Sequence, residues 1–149
     1  MAQSIEVIVT ELADREAIRE LPIKYCDCVW RNDVPGIVDL FASDGSFITK
    51  GRKREHVASG RDGLMKLYGG LTAGAMTPRP YIHNHVVELE GNGRATGRCY
   101  VELRDLKKNF EWAGTGFYED KYVKSGDGWK FQSRTFTTAY MKAMPGQPE

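Results

Sequence analysis

"RATGRCYVELR" spans residues 94–104. Ala95, Gly97, Cys99, Val101 and Leu103 fall on one side of it, and Arg94, Arg98, Glu102 and Arg104 on the other. A strict period of two is the mark of a strand with one face on a core. Immediately upstream, "RPYIHNHVVELEG" (79–91) is apolar at both parities, with Ile82 and Val86 on one and Tyr81, Val87 and Leu89 on the other. The "GNG" between the two segments is a hairpin turn. Downstream, "FEWAGTGFYEDKYV" and "GWKFQSRTFTTAYM" read as two more long strands, joined by "SGDG". Gly114 and Gly116 inside the first of these suit the bends of a curved sheet.

The first half of the chain reads differently. Over 12–32, Ile18, Leu21, Tyr25 and Val29 recur at three- and four-residue steps, which predicts a helix. Pro22 removes one backbone donor, so a kink or local break is expected there. "NDVPGIVDLF" restarts a helix, with Asp33 as N-cap and Pro35 in the first turn. "SFITK" is a short strand, preceded by the helix-to-strand turn "FASDGSF". "RDGLMKLYGG" is a third helix, ended by its paired glycines. Helices first and a strand meander afterwards define an α+β class: one domain over 1–149, its curved antiparallel sheet enclosing an apolar pocket behind N-terminal helices. The tail "MPGQPE" is expected to fray.

Composition excludes several functions. Lys and Arg number 21 against 20 Asp and Glu, a net charge of +1. That balance offers no electrostatic footprint for nucleic acid and no basic patch for a membrane surface. No apolar run has transmembrane length, and "MAQSIEVIVTELADRE" lacks the layout of a signal peptide. Cys26, Cys28 and Cys99 cannot all pair within one chain, which points to free thiols and a cytoplasmic setting.

"DREAIREL…KYCDCVWRNDVPGIVDLFASDGSF", "HNHVVELEGNGRATGRCYVELR" and "GTGFYEDKYVKSGDGWKFQSRTF" together resemble the SnoaL-like, scytalone dehydratase-like branch of the NTF2-like superfamily. The resemblance covers nearly the whole chain and rests on order and spacing, since no single motif in it is specific. It implies a cone: a bent antiparallel sheet around a pocket. It also implies cofactor-free general-base chemistry, in which a histidine takes a proton beside the leaving group and an aspartate orients it. Other members are plain binding domains or ring-hydroxylating dioxygenase β-subunits. Carried over position by position, the family aspartate falls on Trp30 of "WRND". The family histidine, four residues before an asparagine, falls on Pro80, and a further histidine falls on Cys99. Both members of the dyad are replaced.

Substitutes lie nearby. Asp27 is one turn before Trp30, yet it sits about 60° further round the helix and four residues before Arg31, at ion-pair spacing. His83 is three residues after Pro80, which turns it to the opposite strand face unless a bulge intervenes. His-x-His on a strand suits a metal, but the one other histidine is His56, in the basic "GRKREH", and no metal is assigned. Cys26 and Cys28, two apart on a helix, point in different directions and read as structural thiols.

Parity groups Trp112, Tyr118 and Tyr122 with Phe110, and Trp129 and Phe131 with Thr135 and Thr137. These are read as an aromatic lining for a flat, mostly apolar ligand, or as plain core. His83, Tyr118 and Tyr25 are the candidate groups for proton transfer or carbonyl polarisation. Trp30, with Ile23 on the same shoulder of its helix, Cys99 and Trp112 are the candidate pocket walls. These residues are compatible with three functions: a cofactor-free lyase or isomerase acting on an aromatic or alicyclic ketone or polyol; a non-catalytic module that binds an apolar molecule; or a structural subunit. Apolar residues at both parities of 80–90 predict a homodimer or homotrimer formed through the sheet.

Overall fold

The structure, a computed structural model, describes residues 2–51, 54–73 and 78–142, side chains at 72 and 73 excepted. The expected frayed tail lies outside them. Helix α1 (Ile5–Trp30) begins at Ser4, whose side chain accepts from Val7 N, well before the predicted start. It continues through Pro22 without the expected break. Its early residues Ile5, Val7 and Val9 are exposed, so the core pattern does not begin until Ile18. Helix α2 (Val34–Asp39) starts as predicted, with Asp33 accepting from Gly36 N and a proline in the first turn. Helix α3 (Gly60–Ala73) runs past Gly69 and Gly70 rather than ending there. A Cβ at either glycine would meet nothing within 4 Å; Gly69 is half-buried and Gly70 exposed, both within the helix.

Among the described residues, six strands form one curved sheet: β1 (Phe41–Lys50), β2 (Glu55–Ser59), β3 (Pro78–Gly91), β4 (Arg94–Asp105), β5 (Glu111–Ser125) and β6 (Gly128–Met141), in the order β2-β1-β6-β5-β4-β3. All neighbours are antiparallel except β1 and β6. β1 takes in the "FASDGSF" segment read as a turn, with an irregularity between Phe41 and Ser46. The turns at "GNG" and "SGDG" carry positive φ at Asn92, Gly93 and Gly128, as those turn residues allow. His56 lies exposed on β2 rather than in a loop.

Helix α1 packs across β3 and β6 and defines an inner, helix-facing side of the sheet. Trp129 Nε1 and Lys124 Nζ both donate to Asp14 Oδ1, at 2.8 and 2.7 Å, and Arg15 Nη1 donates to Val87 O at 2.9 Å. Ala95, Cys99, Val101 and Leu103 of β4 are buried on that side, as the alternation predicts.

Bulges decide which other residues join them. In β3, Ile82 pairs with Val101 and His85 with Cys99, so two residues, His83 and Asn84, stand opposite Tyr100 alone. The extra residue flips the strand's parity. Ile82, His85, Val87 and Leu89 therefore all face inward, opposite Val101, Cys99, Gly97 and Ala95. Tyr81 and Val86 face out and are exposed. The two apolar faces inferred for this strand are thus largely one face read across a bulge.

Ala113 is extra in β5, where Leu103 pairs with Gly114 but Arg104 with Trp112. Trp112 is consequently turned to the outer side, stacked on Tyr140 at 5.5 Å and 10°. The expected common wall of Trp112 with Tyr118 does not form. Gln132 is extra in β6, between Phe131 opposite Tyr122 and Ser133 opposite Lys121. Past it, Arg134 and Phe136 point inward, opposite Asp120 and Tyr118, while Thr135 and Thr137 point out. The expected pairing of Phe131 with those threonines is corrected by that one residue. Gly116 has φ in the ordinary range, but a Cβ there would lie 2.4 Å from Thr137 O, so its lack of a side chain lets the strands close up beside the shift at Thr115/Gly116.

Candidate functional site

The inner face carries a knot of polar and aromatic groups. Arg134 has no exposed surface. Its guanidinium carbon lies 3.7 Å from the ring centre of Tyr118, 4.4 Å from that of Tyr25 and 4.7 Å from that of Phe131. These ring faces attract the cation and partly offset its lost hydration. Its Nε is 3.4 Å from Asp120 Oδ1, an ion pair without hydrogen-bond geometry. Among the described residues, Nε, Nη1 and Nη2 of Arg134 and Oδ1 of Asp120 are all buried without a hydrogen-bond partner. Leaving such donors unmatched is costly in a folded protein, and such exceptions concentrate at working sites.

Around this pair run two hydrogen-bonded chains. Tyr25 Oη and Tyr68 Oη lie 3.0 Å apart. Tyr122 Oη donates to Asp120 Oδ2 at 3.1 Å and lies 3.0 Å from His85 Nε2. Burial shifts every member. It raises Asp120 to about 6, against the lowering pull of Arg134 and Tyr122. It brings His85 down to about 4, helped by the charges of Arg134 and Arg19. It holds Tyr25 and Tyr118 well above the usual phenol range and pushes the Cys99 thiol up to about 12. Burial alone would lower Arg134, but the charge of Asp120 and the surrounding Tyr118, Tyr25 and Tyr122 together outweigh it, and the guanidinium stays charged. Near neutral pH the knot therefore holds a cation, a carboxylate, a neutral imidazole and protonated phenols.

Of the residues singled out from sequence, Tyr25, Tyr118 and Cys99 belong to this inner face. His83 does not: its side chain is 55% exposed, with Nε2 3.6 Å from Glu102 Oε2. Trp30 sits at the end of α1. Its Nε1 donates to Pro80 O at 2.8 Å, and its ring stacks on Phe110 at 5.5 Å and 8°. A hollow of ≈330 Å³ beside it is lined by Ile23, Cys26, Asp27, Pro80 and Ile82 among others. A second, of ≈260 Å³, is lined by Tyr81, His83, Glu102, Arg104 and Phe110. Asp27 bonds Arg31 at 2.9 Å on the exposed side, as its spacing implied. The three cysteines are free. Among the described residues, no group of three His, Cys, Asp or Glu side chains is placed to hold a metal, and no helix is long and apolar enough to cross a membrane.

His85, Asp120 and Arg134 were not singled out from sequence. Asp120 was within reach, since it shares the parity of Tyr118 and Tyr122. His85 and Arg134 become inner residues only through the bulges at His83–Asn84 and Gln132.

This arrangement sits in a recognised family. The SnoaL-like domain profile matches residues 10–135, and the chain belongs to that family, within the NTF2-like superfamily. Among solved structures, an NTF2-like protein with a cystatin-like fold from Novosphingobium aromaticivorans is 23% identical over 93% of this chain and 90% of its own, with a TM-score of 0.81. A hexachlorocyclohexane dehydrochlorinase of LinA type 3 from Novosphingobium barchaimii is 17% identical over 93% and 95%, with a TM-score of 0.77. A proposed scytalone dehydratase from N. aromaticivorans is 20% identical over 95% and 99%, with a TM-score of 0.74. At these identities the likeness is one of fold. Comparison with curated proteins gives no match.

Proposed function

We propose that this protein is a cofactor-free lyase or isomerase that works on the inner face of its sheet, at Arg134. The family is of the kind that supports such chemistry. The observation that carries the reading is the fully buried guanidinium whose three nitrogens have no hydrogen-bond partner among the described residues. A preorganised cation in a dry interior stabilises an oxygen that gains negative charge far better than it would in water. The substrate class that supplies such an oxygen is an aromatic or alicyclic ketone, or a polyol that passes through one. Loss of a proton from the carbon beside the carbonyl leaves an electron pair, which moves onto the oxygen held by Arg134. Return of that pair expels a hydroxyl at the next carbon, which leaves as water after protonation, or reprotonation elsewhere completes an isomerisation. The phenols of Tyr25 and Tyr118 donate to the substrate's oxygens, Cys99 forms part of the floor, and Trp30 stands at the end of α1. His83, on the outer rim, takes no part.

Three free thiols support a reducing, cytoplasmic setting. Val86, Tyr100 and Phe117 on the outer face support a homodimer or homotrimer. The test is incubation in D2O with a panel of hydroxylated tetralones and naphthalenones. NMR should show deuterium entering beside the carbonyl, or loss of water, and Arg134→Met should abolish both. Binding of these compounds without exchange would replace the reading with that of a non-catalytic binding module.

A further inference from the structure

The family's aspartate–histidine pair is missing from its usual positions, yet a carboxylate and an imidazole do meet inside this chain, through a phenol. We infer that His85 is the proton acceptor of the proposed reaction and that Asp120 is a positioning residue acting on it through Tyr122. The inference rests on the reading of the inner face as the reaction site.

The connectivity is fixed by counting protons. Tyr122 has one hydroxyl proton, and the carboxylate Oδ2 of Asp120, an acceptor, takes it at 3.1 Å. The phenol oxygen then has only lone pairs to offer His85 Nε2 at 3.0 Å, so Nε2 must carry a hydrogen. In a neutral imidazole this leaves Nδ1 bare, with its lone pair free to accept a proton. When Nδ1 accepts a proton, the positive charge that develops is met along the chain by the carboxylate. This is the task an aspartate performs in a direct dyad, performed here at one remove.

Three features of the backbone make room for this chain. The bulge at His83–Asn84 turns His85 inward, opposite Cys99. The bulge at Gln132 brings Arg134 opposite Asp120, where it forms an ion pair with the carboxylate's other oxygen. On β4, residue 97 is glycine, and a Cβ there would lie 2.8 Å from Val86 O across the strand pair, 2.9 Å from Tyr122 Oη and 3.0 Å from its ring. The missing side chain leaves the space through which Tyr122 reaches His85. The groups that bear on His85 come from every neighbouring element: Tyr122 and Asp120 on β5, Cys99 on β4, Arg134 on β6 and Arg19 on α1. Burial and the charges of the two arginines oppose its protonation. With its low affinity for protons, His85 is neutral at pH 7 and free to act as a base.

The balance for a dehydration is complete without a co-reactant. Nδ1 takes the proton beside the carbonyl, and the pair moves to the oxygen at Arg134. The pair then returns to expel the neighbouring hydroxyl, and the proton on Nδ1 leaves with it as water.

The tautomer of His85 tests this without any substrate. In the whole protein at pH 7, histidine-selective 15N NMR, assigned with a His85→Gln variant, should show His85 as a single neutral tautomer with Nε2 protonated and Nδ1 bare. Tyr122→Phe should release it into a mixture of both tautomers. On any ketone turned over by the wild type, Tyr122→Phe should lower kcat at least tenfold with KM within twofold. A wild-type His85 protonated on Nδ1 with Nε2 bare, or charged at pH 7, overturns the inference. So does an unchanged spectrum in a folded Tyr122→Phe. The wild-type spectrum decides even where a variant fails to fold. Absence of turnover on every compound, with the expected tautomer present, would instead count against the proposed function and not against the connectivity.

Discussion

His83 and His85 lie two residues apart on one strand and live in different environments. His83 is mostly in solvent beside Glu102 and Arg104, whose guanidinium also bonds that carboxylate. His85 is turned inward, its Nε2 tied to a phenol that is tied to a buried carboxylate and, through it, to a cation with no exposed surface. In a regular strand, residues two apart face the same way. The difference is made by one extra residue between them. The rim carries the same residue types as the interior — aromatic, acid, arginine, histidine — but its charges are hydrated and screened, so their pairing is worth little. Inside, each unmatched atom counts in full.

The largest effect that separates the two regions is expected at Arg134. Arg134→Ala leaves Asp120 buried without its counter-ion and should destabilise the protein by about 3–5 kcal/mol in urea titration. Replacing both partners, as Arg134→Met with Asp120→Leu, should restore stability to the wild-type level or above it while turnover stays lost. A double variant as unstable as the single one would mean that the pair is structural rather than functional. Tyr25→Phe comes next. It orphans the Tyr68 hydroxyl and should cost about 1–2 kcal/mol in the same titration.

The pH dependence of stability sharpens the contrast further. His85 titrates near 4 in the folded state, below its ordinary 6.5, so the fold favours the neutral form. Its contribution is present above pH 6.5 and is lost as pH falls through that window towards 4. Asp120, raised from 3.8 to about 6, runs the other way: its contribution is present below pH 3.8 and is lost as pH rises through 6. His85→Gln should therefore be less sensitive than the wild type to acidification between pH 6.5 and 4, as read from the urea midpoint. An equal slope in both proteins would show that His85 is not held neutral. The smallest effect belongs outside: Asp27→Ala removes an exposed ion pair with Arg31 and should leave the melting temperature unchanged by scanning calorimetry.

Much of the fold is legible in the chain because it is locally determined. The alternation of 94–104, the turn residues of "GNG" and "SGDG" and the Asp33 cap each act over a few residues, and each forms as read. The site is less legible because register is set across strands. Nothing in the type of Gln132, Ala113 or His83 marks it as an extra residue. Yet each one inverts strand parity between its two sides, so that Arg134 lies in, Trp112 out and His85 in. A buried arginine is improbable on composition alone, since that side chain is rarely fully buried unless paired. Only its partner across the strand, Asp120, makes the position intelligible. The same limit applies at the helix start: Ile5–Glu11 lack a core stripe because they face solvent, so the Ser4 cap was the one signal available.

The central claim is that chemistry, if a ketone is turned over, belongs to the inner histidine and not to the outer one. The direct measurement is kcat/KM for His85→Ala and His83→Ala on the same ketone, each checked for an unchanged fold by circular dichroism. The expected result is a loss of about 10²-fold or more for His85→Ala and a value within twofold of the wild type for His83→Ala. A large loss at His83 with full activity at His85 would contradict it.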